Sequence, residues 1–124
     1  MRPSIISGER KCFVTGARNV VLDVRHIFNG SCRDWADKEG LWVYLAHDKH
    51  MELHDSNPVL KIELKRVGQH YYELSHTREE FMKHTHKNYL SSPLTDEEKM
   101  KYHIPEKIDD SGLDLTEDKL LWEL

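Results

Sequence analysis

Apolar positions along this chain fall in short β-rich runs and in a stripe at three- and four-residue spacing, and these mark the elements. Lys11-Cys12-Phe13-Val14 and Asn19-Val20-Val21-Leu22-Asp23 flank Thr15-Gly16-Ala17-Arg18, two β-rich runs that meet at a Gly-containing turn, which predicts a hairpin. Asn29-Gly30-Ser31 breaks the second run. Arg33 to Glu39 is helix-prone with Gly40 placed to stop it, and Trp42-Val43-Tyr44-Leu45 predicts a short strand that leads into a helix bearing His50. Asn57-Pro58 supplies an Asn cap and a Pro at the first helical position, and Leu60, Leu64, Val67, Tyr71 and Leu74 then form one apolar stripe to pack on the core. Thr77-Arg78-Glu79-Glu80 is a capping box that opens a helix through Phe81 and Met82; Thr95-Asp96-Glu97-Glu98 repeats the device. Pro105 ends that segment or starts a linker, and Asp109-Asp110-Ser111-Gly112 is a turn-rich break. Thr116 to Leu124 reads as a short terminal helix whose Leu120, Leu121, Trp122 and Leu124 dock on the domain or on a partner.

The chemistry concentrates in two segments. His50 and His54 stand four apart on the predicted helix, on one face, where both imidazoles can grip one divalent cation. His26 ends the run Asp23-Val24-Arg25-His26, before the Phe28-Asn29-Gly30 turn. One His at a strand end facing two on a helix is a metal-nuclease arrangement. Its plain counterparts are a satisfied buried His26 and a solvated polar helix face. His47, His70, His76, His84, His86 and His103 have no spacing that argues for a site and read as surface residues.

Residues 11–90 resemble the small phage-borne HNH, or ββα-metal (His-Me finger), nucleases. In that family a strand ends in His-His or Asp-His, a metal ligand followed by the general base, and a later His-x-x-x-His on a helix completes the site. His26 matches the base; His50 and His54 match the helix ligands. Lys65-Arg66-Val67-Gly68-Gln69 and Lys87-Asn88-Tyr89-Leu90 resemble the helical extension of the phage group. The resemblance implies an α+β fold with a ββα-metal core of β-hairpin, short strand and His-bearing helix, followed by two or three packing helices, and leaves the tail unexplained. Charge sets off that tail as an acidic C-terminal segment, so the chain reads as an HNH-like domain with helical extension, 1–92, and an acidic segment with short helices, 93–124.

The departures fall on the chemistry. Arg25 takes the place of the first metal ligand, and a guanidinium offers no lone pair to a cation. Leu41 stands where the family's base-orienting Asn is due, and Cys32-Arg33 where the phage group has an Asn-Arg pair. Cys12 has Thr15, Ala46 and Lys49 where partners for a structural zinc would stand, so no zinc knuckle is expected, and Cys12 and Cys32 read as reduced thiols. Two readings follow. Asp23, two residues before Arg25, supplies the missing ligand and holds Mg²⁺, Mn²⁺, Ni²⁺ or Zn²⁺ with His50 and His54 while His26 takes a proton from water. Otherwise the chain is a catalytically degenerate HNH-fold binding module, a phage protein that engages or inhibits a host nucleic-acid enzyme, and Arg25 contacts phosphate in place of the metal.

Charge changes the choice of partner. The net −4 is uneven: residues 93–124 hold ten acidic and four basic side chains, a net of −6, and residues 1–92 hold twelve and fourteen, a net of +2. The weakly basic body suits modest, salt-sensitive contact with DNA through Arg18, Arg25 and Arg33, and the acidic segment suits solubility, cover for the basic face, or a host protein partner. No apolar run approaches the roughly 20 residues of a bilayer span, and no secretory signal is visible, so the expected compartment is the cytoplasm, that of the bacterial host for a phage protein.

Overall fold

The computed structural model describes residues 2–104, apart from the side chains of residues 53–56. Strand β1 (Leu22–His26) is followed by a 3₁₀ turn (Gly30–Cys32), helix α1 (Arg33–Glu39), strand β2 (Trp42–Ala46) and helices α2 (His47–Ser56), α3 (Pro58–Tyr72), α4 (Arg78–Thr85) and α5 (Asp96–Lys101). The chain is therefore mixed helix and strand. The expected terminal helix and the turn at Asp109-Asp110-Ser111-Gly112 lie outside the described residues.

The strand pairing differs from the predicted hairpin. β1 pairs antiparallel with β2, Asp23 opposite Leu45 and His26 opposite Trp42, in a two-stranded sheet. Lys11–Val14 is not a strand. Its residues close on themselves, with Cys12 N–H donating to Ala17 O at 2.9 Å and Gly16 N–H to Cys12 O at 2.8 Å. The turn wraps the buried Cys12 sulfur, and although burial raises the thiol, N–H donors from Ala46, Thr15 and Val14 hold it below its usual value. The outer edge of β2 takes the N-terminal segment instead: Phe13 N–H donates to Tyr44 O at 2.8 Å, Ser4 Oγ to Trp42 O, and Ile5 N–H to Gly40 O at 3.0 Å. Gly40 stops α1 in the left-handed region at φ 75°, and a Cβ there would lie 2.5 Å from Pro3 O, so only glycine admits this close passage.

A two-stranded sheet cannot bury a core alone, and the helices supply one. Asn57 caps α3 through Leu60 N–H at 3.1 Å, and Leu60, Leu64 and Val67 bury as the stripe predicts. The stripe then turns: α3 ends at Tyr72, which is buried, while Leu74 is exposed. Gly68 lets α3 approach the end of β1, since a Cβ there would meet the Phe28 ring at 3.0 Å. Phe28 in turn packs edge-on to Phe81 of α4, and Trp35 of α1 packs edge-on to Tyr72 and Phe81. Both capping boxes form.

Two polar side chains of α3 fasten the chain that follows. Gln69 is fully buried; its amide donates to Glu73 at 2.7 Å and Asn88 at 2.9 Å, and its oxygen accepts from Tyr89 N–H at 2.7 Å. Arg66 donates to both carboxylate oxygens of Glu98 at 3.0 Å, to Tyr89 O at 2.7 Å and to Pro93 O at 3.0 Å. Leu94, Tyr102 and Ile104 bury in the same core, so the described part of the acidic segment packs with the body.

The Arg66 hydrogen bond holds the Glu98 carboxyl below its ordinary range against the opposing effect of burial, helped by Thr95 N–H and the Arg66 charge. A depressed folded-state pKa gives stability that is complete above the unfolded carboxylate value and is lost as pH falls through the folded one. Thermal melts should therefore hold level down to about pH 4 and then drop. Glu98→Gln should lower the neutral-pH midpoint and flatten that acid limb, and Arg66→Met should cost about 3 kcal/mol, because it leaves a part-buried carboxylate unpaired.

Candidate functional site

Along β1 successive side chains point to opposite faces, so Asp23 and Arg25 share one face and Leu22, Val24 and His26 the other. The candidate residues divide accordingly. Asp23 lies opposite Leu45 at the start of α2, and its Oδ2 accepts from His50 Nδ1 at 3.0 Å and from His47 Nδ1 at 2.8 Å. These two hydrogen bonds, His50 first, hold the Asp23 carboxyl below its usual value. The proximity of Asp23 and His50 was expected from sequence; that of His47 was not. His47 carried no usable signal, because its position three before His50 matters only once α2 begins at the end of β2.

The fit to a metal is partial. Asp23 and His50 are suitable donors, yet their polar atoms face each other and the His54 side chain lies outside the described residues. Among the described residues no three His, Cys, Asp or Glu form a group that could hold an ion. Arg25, in the place of the family ligand, has its Nε shielded from solvent with no hydrogen-bond partner among the described residues. Of the expected ligand set, Asp23 and His50 are brought together, and the His54 side chain lies outside the described residues.

His26 belongs to a second cluster. Three residues along a strand separate it from Asp23 by about 10 Å, on the opposite face. Its Nδ1 meets Asp37 Oδ1 at 2.8 Å and its Nε2 meets Arg33 Nη2 at 2.9 Å. A carboxylate only accepts and a guanidinium only donates, so Nδ1 carries the proton and Nε2 presents its lone pair. Arg33 and Asp37 stand one turn apart on α1, with Arg33 Nε 3.8 Å from Asp37 Oδ2. His26 and Asp37 are about three-quarters shielded, whereas Arg33 is half exposed and can swing away from Nε2.

Sequence reading missed Asp37. It meets His26 from α1, four residues before Leu41, which is itself fully buried with its N–H on Ala36 O at 2.9 Å. The Arg33-x-x-x-Asp37 spacing on a predicted helix was the available signal. Arg18, an expected phosphate contact, is instead paired with Glu9 on the surface.

The Asp37 contact generates a spectroscopic expectation. Long-range ¹H–¹⁵N correlation spectra above neutral pH should show His26 as the Nδ1–H tautomer, and Asp37→Ala should move it toward the Nε2–H form that free histidine prefers. Compared with family models, curated proteins and solved structures, the chain matches none.

Proposed function

We propose that this chain acts on nucleic-acid phosphodiester bonds as an HNH-like endonuclease, with His26 as general base. The observation that carries the reading is the Asp37–His26–Arg33 chain: an imidazole held in one tautomer by a carboxylate, its lone pair turned toward a mobile guanidinium. Water attacks phosphorus and gives its proton to His26 Nε2; Asp37 stabilises the resulting imidazolium; the phosphorus–oxygen ester bond breaks and the leaving oxygen takes a proton from solvent. Arg33 leaves Nε2 for a phosphate oxygen, where its planar fork is worth more than a point charge. Asp23 and His50, the expected metal-side residues, lie across β1 from this base, so the reading assigns them no part in the proton transfer.

A second reading, a binding module of the same fold that engages a host nucleic-acid enzyme, is favoured by one specific observation: Arg25, which offers a cation no lone pair, stands in the ligand position with its Nε closed off from solvent. No described helix is long and apolar enough to cross a membrane.

Cleavage of labelled duplex and single-stranded oligonucleotides, in chelator and with Mg²⁺, Mn²⁺, Ni²⁺ or Zn²⁺, decides between them. His26→Ala should reduce cleavage about 100-fold or more, the scale of a positioned base, and Asp37→Ala should reduce it less while shifting the pH profile. If neither substrate is cut, or His26→Ala cuts as well as the parent, the enzyme reading fails. Capture of a nucleic-acid enzyme that depends on residues 105–124 would then support the module.

A further inference from the structure

The Asp23/Arg25 face of β1 carries a group of cations that the His26 chemistry does not use. Four of the described arginines pair with acids: Arg18 with Glu9, Arg33 with Asp37, Arg66 with Glu98 and Arg78 with Glu73, while Arg10 lies over the Tyr44 ring. Arg25 has no such partner among the described residues, and its Nε is closed off from water with no acceptor. Burial holds its guanidinium below the ordinary value. The surrounding charges are of the same sign. Lys61 and Lys65 stand one turn apart on α3, and Lys65 Nζ lies 5.7 Å from the centre of the Tyr89 ring, two residues past Lys87. Burial first, then Lys87, Arg25 and Lys61, push the Lys65 ammonium down, with the Cys32 thiol opposing.

Gathering like charges with no carboxylate of the described residues among them costs free energy, and a ligand that brings negative charge recovers it. We propose that Arg25, Lys61, Lys65 and Lys87 form a binding site for the phosphates of a nucleic-acid strand. Arg25 offers a fork suited to two phosphate oxygens, and the lysines offer mobile point charges. A single inorganic phosphate carries at most about two negative charges at neutral pH, too few to balance four cations, whereas consecutive backbone phosphates supply one each. The inference rests on the nucleic-acid reading for the nature of its ligand, but not on hydrolysis: the site lies on the face of β1 opposite His26.

The test is fluorescence anisotropy of labelled duplex and single-stranded oligonucleotides with the full chain carrying His26→Ala, across a salt series, with inorganic phosphate as the second probe. Arg25→Met and Lys65→Met together should weaken binding about tenfold or more, and each cation removed should make the duplex salt slope shallower by about 0.9. Arg25→Lys should keep the slope. Lys87→Gln, at an exposed position that folding does not need, should still weaken binding and flatten the slope. Lys101→Gln, paired with Glu63 on the opposite side of α3, should change neither. The proposal is overturned if Arg25→Met and Lys87→Gln, both shown folded by thermal melts, bind like the parent. It is equally overturned if inorganic phosphate binds and the oligonucleotide binds no tighter. Loss of cleavage in His26→Ala with binding intact would leave this site standing, and absence of cleavage by the parent would not touch it.

Discussion

The described chain that follows α3 is fastened to it by two side chains that a core would ordinarily exclude. Arg66 and Gln69, one turn apart, reach from the helix to backbone and carboxylate groups between Glu73 and Glu98, and no donor of either amide or guanidinium head is wasted on solvent where a chain carbonyl is available. Burying such groups is tolerable only when they are satisfied, and here satisfaction comes from irregular chain that has no ladder of its own. The aromatic cluster of Phe28, Trp35, Tyr72 and Phe81 supplies apolar burial, but rings pack in several similar ways. The polar fasteners select one. They also bring α5 back against α3, where Tyr102 donates to Glu63 at 2.6 Å.

The functional groups sit on the first part of the chain and owe their placement to a strand of five residues. Because β1 alternates, its two polar neighbourhoods are separated by the thickness of the sheet rather than by distance along the surface. One side joins Asp23 to two imidazoles and continues into the cations around Arg25; the other joins His26 to α1. The proposed base and the proposed strand-binding cations are therefore mechanically independent devices on one scaffold. That separation differs from the single centre implied by the resemblance, in which a strand His and two helix His surround one ion.

Local signals were the legible ones. Both Thr-initiated capping boxes, the Asn57-Pro58 start, the Gly40 stop and the strand at Trp42 were readable, because each depends on a few adjacent residues. The hairpin was misread because Lys11–Val14 has strand composition but spends its hydrogen bonds on a turn around Cys12, a choice settled by burial of the sulfur and not by propensity. The stripe was run on to Leu74, two residues beyond the end of α3, because periodicity does not register where a helix stops when no glycine marks the end. Of the site, the union of Asp23 with His50 was visible. Asp37 and His47 were not, since each acquires a partner only when β1 pairs with β2 across an intervening helix.

The N-terminal segment has a consequence beyond its own packing. Residues Ser4, Ser7 and Phe13 occupy outward carbonyls and an amide of β2 without forming a regular strand, and Ile5 takes the Gly40 carbonyl just before β2. An uncovered strand of this composition, Trp-Val-Tyr-Leu-Ala, would be a template on which another molecule's backbone could extend the sheet. By spending those groups on irregular chain, and by using Gly40 to let Pro3 pass at close range, the protein removes its most adhesive edge from reach, which guards a small two-stranded sheet against self-association.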